Sequence, residues 1–284
     1  MMRRTLPWLV AAVLAAVVSG CGGASSAPSA VATDVHVGLP AGDGTEASYV
    51  GYTMTGVTFP TKAGVPQRYA FHIETYQHKP LTDYVVDLTK KMHIYFISSD
   101  FAVYRHVHPT MAPDGTWSGD VTLPLEGDYR MVAEFITTDA GGTNDQLVLG
   151  TKGTVGHPDA FEPIPPASKE STANGLTLSV VKAPTTGYQH EMEIGIGKGG
   201  KPADLGSYLG VYAHVSAFST ATGGLEHIHA LSAPETRDNK SVLLLHTNFE
   251  QPGDYRMFVQ VRVSGIVWTI PITISVKGPS APAL

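Results

Sequence analysis

The chain has a single cysteine, Cys21, in 284 residues. One thiol near the N-terminus leaves no disulfide framework and no Cys/His catalytic pair. Charge is also scarce: 15% of residues are charged and the formal net charge is −6. That balance excludes the basic footprint of a nucleic-acid binder and the basic patch of a membrane-surface protein. Long apolar runs are missing too. The apolar stretch from Leu6 to Val18 is about 13 residues, whereas a bilayer span needs roughly 20. No segment reads as a long amphipathic helix. There is no Gly-x-Ser-x-Gly elbow, no phosphate-cradling glycine loop and no His-Glu-x-x-His helix, and no general base accompanies the histidines described below. The expectation is a protein that is not an enzyme.

The first residues carry a targeting pattern. Arg3 and Arg4 precede the apolar stretch, which ends in Val18-Ser19-Gly20-Cys21. This is the layout of a secretion signal, and small residues directly before a cysteine resemble a bacterial lipobox. The resemblance implies cleavage before Cys21, lipidation of that residue and anchoring on the extracytoplasmic face of the cell membrane. Residues 1–20 are then a signal peptide. Residues 21–45, rich in Gly, Ala and Ser, are expected to form a flexible tether.

Thirty glycines and twenty prolines punctuate short alternating runs of Val, Thr, Ile, Tyr and Phe, the pattern of strands joined by turns. The body is also written twice. Lys79-Pro80 with Asp83 recurs as Lys201-Pro202 with Asp204, and Gly127-Asp128-Tyr129-Arg130-Met131 recurs as Gly253-Asp254-Tyr255-Arg256-Met257. Repetition at this scale marks duplicated domains. The expected class is all-β: one sandwich over 46–155, a Pro-rich linker over 156–172 and a second sandwich over 173–278. In each repeated segment the tyrosine is expected to anchor a sandwich corner.

Histidines recur with the repeat. Copy one has His93, His106 and His108; copy two has His214, His227 and His229. Each set reads His, twelve residues, His-x-His. Leu88–Ile97 and Phe101–His108 have the outline of a hairpin around Ser98-Ser99-Asp100. A turn centred between Ser99 and Asp100 places His93 opposite His106, with His108 next on the same face. In copy two, a turn centred between Thr220 and Ala221 places His214 opposite His227. A His-x-His pair spans roughly 6.5–7 Å on one face of a strand, and a directly opposed residue lies about 4.5–5.5 Å away. Each triad can therefore surround one ion. Met92, Ile94, Phe96, Val103 and Val107, and in copy two Val211, Ala213, Val215 and Ile228, form the opposite, core faces. A slip of one residue near Thr222-Gly223-Gly224 would move His214 to the wrong face. His72, His78, His190 and His246 fall outside the repeated spacing, and His36 and His157 fall in loops.

Around Tyr208-Leu209-Gly210, the copy-two histidines and Pro252 to Gln260, the chain resembles secreted bacterial domains of the YtkA-like or FixH-like, cupredoxin/immunoglobulin-like type. Copy one shares the histidine spacing and the Gly-Asp-Tyr-Arg-Met segment but lacks the Tyr-Leu-Gly entry. The resemblance implies immunoglobulin/cupredoxin-like sandwiches and metal or copper handling. A type 1 copper centre needs a cysteine, which the body lacks. An all-nitrogen site suits Cu(II) or Zn(II), with Met92, Met111, Met131 or Met257 as conceivable soft ligands. Two functions follow from these residues: copper sequestration or delivery through one three-histidine cluster per repeat, or an envelope protein-interaction module. In the second, the histidines and Tyr95, Tyr104 and Tyr212 form a hydrogen-bonded sheet face that holds no ion.

Overall fold

The computed structural model describes residues 40–139, 141–157, 162–187, 190–230 and 232–278. The expected signal peptide, Cys21, His36 and most of the expected tether lie outside these residues, as does the side chain of His227. The described residues form strands and no helix, so no described helix is long and apolar enough to cross a membrane. The all-β, two-repeat architecture expected from the sequence is present.

Copy one contains β1 (Ser48–Tyr49), β2 (Tyr52–Thr58), β3 (Pro66–Glu74), β4 (His93–Ser98), β5 (Tyr104–Val107), β6 (Thr110–Met111), β7 (Trp117–Thr122), β8 (Gly127–Thr138) and β9 (Asn144–Val155). They form two sheets, in the orders β1-β2-β3-β7-β6 and β5-β4-β8-β9. Between them lies a core rich in aromatics: Tyr69, Phe71, Tyr84, Phe96, Trp117, Tyr129 and Phe135 pack with Met92, Ile94 and Val103. The expected core face of the first hairpin is thus the observed one.

Copy two contains β10 (Glu170–Ala173), β11 (Leu176–Lys182), β12 (His190–Lys198), β13 (Lys201–Pro202), β14 (Leu205–Gly206), β15 (His214–Ser219), β16 (Leu225–Ala230), β17 (Glu235–Arg237), β18 (Lys240–Thr247), β19 (Gly253–Val263) and β20 (Ile266–Val276). Here one hydrogen-bonded path, β10-β11-β12-β18-β16-β15-β19-β14, joins both layers. The bridge is β16, which pairs with β15 and then, through His229 and Ala230, with β18. In copy one, Pro109 stands where copy two has Ala230. Proline has no N–H for a ladder, so the same stretch is split there into β5 and β6. The copy-two core is aliphatic, with Leu178, Met192, Ile194, Ala213, Val215, Ile228, Leu243 and Ile272.

Both repeated tyrosines close a corner as expected. Tyr129 Oη donates to the Leu125 carbonyl at 2.8 Å, and Tyr255 Oη donates to the Gln251 carbonyl at 2.9 Å.

The outer faces of β4–β5 and β15–β16 meet. Tyr95, Ile97, Phe101, Tyr104, Val132 and Val148 of copy one pack against Phe218, Leu225 and Phe258 of copy two. Tyr104 and Phe258 stack with ring centres 4.4 Å apart and planes 6° from parallel. The N-terminal strap stitches the same seam. Ala41 and Gly44 donate to the Gln146 and Val148 carbonyls, while the Asp43 carbonyl accepts from Leu225 N. Residues 41–44, within the stretch expected as tether, are therefore tied to both repeats.

Candidate metal centre

The hairpin registers differ from expectation by two residues. Tyr95 pairs with His106, and Ser216 pairs with His227, leaving His214 opposite His229. The cause lies in the turns. Asp100 accepts from Ala102 N and Ser98 Oγ, Phe101 takes φ +59°, and Ser98 N bonds to the Val103 carbonyl, so the turn is centred between Asp100 and Phe101. In copy two, Ser219 N bonds to the Gly224 carbonyl across Thr220–Gly223. Gly223 takes φ +76° there, in the left-handed region where glycine carries no Cβ penalty. A two-residue shift preserves parity, so His93, His106, His108, His214 and His229 stay on their expected faces.

The larger correction concerns which histidines meet. The seam brings the two faces together, and His93, His106 and His214 form one cluster drawn from both repeats, each offering a nitrogen within 4.8 Å of the others. Among the described residues the cluster draws on both repeats, and the side chain of His227, expected as a copy-two ligand, lies outside them. The His106 ring packs against both Tyr95, at 4.6 Å, and His214, at 4.5 Å. His108 and His229 stand at the margins, with ring centres 4.6 Å from His106 and 5.9 Å from His214 respectively. His108 Nε2 is buried with no hydrogen-bond partner among the described residues. Burial, with a smaller contribution from Lys90, pushes this ring down to about 4, so it stays neutral and keeps a lone pair at physiological pH.

The outer hydrogen bonds set the tautomers. His93 Nε2 lies 3.3 Å from the Asp87 carbonyl; a carbonyl only accepts, so Nε2 carries the proton and Nδ1 the lone pair. His106 Nδ1 lies 2.7 Å from Gln260 Oε1, and the Gln260 amide is oriented by donation from Nε2 to Thr269 Oγ1 at 3.3 Å. His106 therefore presents its Nε2 lone pair inward. Tyr95 Oη donates its one proton to Glu134 Oε2 at 2.9 Å, so His214 Nε2, 3.2 Å from the same oxygen, is the donor. That assigns the lone pair of His214 to Nδ1. The Glu134 carboxylate is itself buried and also accepts from Gln146 Nε2. Burial, reinforced by Glu134, raises the Tyr95 phenol well above its ordinary range, so it remains a neutral hydroxyl.

The inward nitrogens of His93 and His106 are 3.1 Å apart. With both of these nitrogens unprotonated, the two lone pairs repel at that separation unless a proton or a metal ion lies between them. A tetrahedral or trigonal ion with metal–nitrogen bonds near 2.0–2.1 Å holds its nitrogens about 3.3–3.6 Å apart, a small adjustment from the observed spacing. Outer-shell acceptors on the remote ring nitrogens are what metal-bound imidazoles ordinarily have.

Gln260 and Glu134 did not emerge from the sequence as site residues, although a signal for them existed. They occupy matching places in the two copies, three residues after the repeated Met131 and Met257, and each interrupts an apolar strand. In the structure they lie directly across from His214 and His93. His72, His78 and His190 take no part: His72 bonds to Thr116, His78 faces Glu74 and His190 bonds to Thr185.

A family model for the Domain of unknown function DUF8832 matches residues 47–148 and again 171–278. The chain belongs to this family. Its two DUF8832 copies are the two repeats read from the sequence. No relative is found among the curated proteins. Solved structures with detectable likeness include the tetra-tandem repeat in the extending region of a large adhesion protein, 13% identical with a TM-score of 0.26, covering 80% of this chain and 49% of that one. Others are the bacterial integrin-binding protein invasin (13%, TM-score 0.20, 82% and 40%) and a putative membrane anchored protein from Corynebacterium diphtheriae (12%, TM-score 0.22, 82% and 60%). The chain spans 40–60% of the length of these three proteins. Activity in the DUF8832 pair has to be read from its own residues.

A second feature sits at the other end of the seam. Asp43, Glu46, Glu226, Glu250 and Asp254 line a cavity of about 470 Å³. Burial, with Glu250 and Asp43 adding to it, pushes the Glu226 carboxyl up to about 8. A carboxyl held above its ordinary value contributes stability that is complete below about pH 4.5 and is lost as pH rises through about 8. Glu226→Gln, which cannot ionise, is expected to leave the melting temperature unchanged at pH 4 and raise it by a few degrees at pH 9. Thermal melts at the two pH values check this; an equal shift at both would contradict the assignment.

Proposed function

We propose that the protein is a lipid-anchored metal-binding protein of the cell envelope, held outside the cytoplasmic membrane through Cys21, which sequesters or hands on one ion at the seam between its repeats. Copper is the first candidate and zinc the second, because three imidazole nitrogens without a thiolate suit Cu(II) and Zn(II). The convergence of His93, His106 and His214 carries this reading. The signal-like N-terminus and the similarity of copy two to YtkA-like and FixH-like domains support it. Titration calorimetry with Cu(II) and Zn(II) tests it: one tight equivalent per chain is expected, and no binding above that of a His106→Ala variant would end it.

The alternative is an envelope interaction module in which the histidines only fasten the repeats. The observation in its favour is that a reversed Gln260 amide would donate to His106 Nδ1, letting His106 Nε2 donate to His93 and dispensing with the ion. Gln260→Leu separates the two. With a bound ion, losing this outer-shell acceptor lowers metal affinity by about 10–100-fold. Without one, the substitution lowers the melting temperature and added metal has no effect on it.

A further inference from the structure

We propose that the ion acts as a clasp between the two DUF8832 repeats, so that metal occupancy and docking of the repeats are reciprocally coupled. This rests on the metal reading above and extends it to what binding does to the molecule.

The ligand set is divided: copy one supplies His93 and His106, and copy two supplies His214. The remote nitrogens are divided as well, in a crossed pattern. His106 of copy one donates to Gln260 of copy two, and His214 of copy two donates to Tyr95 of copy one. Separating the repeats therefore removes one ligand and also the partners that set two of the three tautomers. Neither copy retains the arrangement alone. A site competent only in the docked state has an apparent dissociation constant raised by the inverse of the docked fraction. By linkage, the ion must favour docking by the same factor.

The seam is suited to respond. Its apolar part is one strip around Tyr104, Phe218 and Phe258. Its polar ties beyond the cluster include Tyr104 Oη with Ser216 Oγ at 3.1 Å, Arg130 Nη1 donating to the Gly223 and Thr222 carbonyls, and the strap through Asp43. Between the repeats, residues 162–169 are coil and mostly exposed.

The test loosens the seam while sparing every ligand. Phe258 packs in the seam cluster and lies outside the copy-two core cluster, so Phe258→Asp is directed at docking and leaves that core intact. With the fold checked by circular dichroism, Zn(II) titration of this variant is expected to show at least a 100-fold loss of affinity relative to the unsubstituted protein. Affinity within a few-fold of the unsubstituted protein would overturn the clasp while leaving the metal reading in place. Absence of binding in the unsubstituted protein would overturn both. A second measurement does not depend on that variant folding. A protease site placed at Pro166-Ala167 is cut in otherwise unsubstituted protein, and the halves are run by size exclusion with Zn(II) and with a chelator. Co-elution with Zn(II) and separation in chelator supports the clasp; the same elution under both conditions overturns it.

Discussion

His106→Ala is expected to lower affinity for the seam ion by at least two orders of magnitude while leaving both repeats folded. Loss of outer-shell partners alone costs about 10–100-fold at metal sites, and His106 is a proposed direct ligand. Its ring also packs against both Tyr95 and His214, with centres 4.6 and 4.5 Å away, so alanine opens a gap beside the remaining nitrogens. The two that stay, from His93 and His214, have ring centres 5.5 Å apart and come from different repeats, which leaves no pair of ligands within one copy. His106 belongs to the seam face of β5 and is absent from the copy-one core cluster, so its loss does not strip that core. His78→Ala serves as the reference, since His78 is exposed and remote from the cluster. Calorimetry on the three proteins decides the matter: a His106→Ala affinity equal to that of His78→Ala would remove His106 from the site.

Side-chain parity explains how much of this centre could be read before any coordinates. Alternation along β4 and β15 places His93 and His214 opposite the core-facing Ile94 and Val215, and that assignment depends only on period two. The register did not follow, because it depends on turn chemistry. The carboxylate of Asp100 and the positive φ of Phe101 move the first turn centre, and a residue such as phenylalanine gives no warning that it will enter that region. The error was even in both copies, so the faces survived it. The pairing of the repeats was illegible for a different reason. Alternation tells which residues leave a core but not what covers them. By that alternation Tyr95 and Ile97 share the face of His93, and Phe218 that of His214, and in the structure all three are fully or nearly fully buried against the other copy. His214, expected to work apart from His93 and His106, therefore meets them in one cluster, flanked by Gln260 and by the Tyr95–Glu134 pair. The fusion of layers in copy two through β16 goes with Ala230 standing where copy one has Pro109, an effect that appears only when the ladders are traced.

The core of copy one supplies the second large effect, because what holds β4 in place also holds the ligands. Phe96→Ala is expected to destabilise copy one by about 3–5 kcal/mol. Phe96 is fully buried and sits edge-on to Phe59, at 5.7 Å, and to Tyr69, at 5.2 Å. Neither large ring can move into the space without giving up its own packing. The equivalent position in copy two is Ala217, surrounded by aliphatic side chains that already fill the volume, so truncation has no counterpart there. For a domain of this size the loss is on the order of 15 °C in melting temperature, confined to the transition of copy one. His93 begins β4 and His106 lies on β5, its hairpin partner, so both leave the site when copy one melts. In calorimetric scans of Phe96→Ala, Zn(II) should raise the lower transition and have little effect on the upper one, since the ion is released once copy one unfolds. A scan in which Zn(II) raised only the upper transition would place the bound ion in copy two and contradict a centre built mainly on His93 and His106.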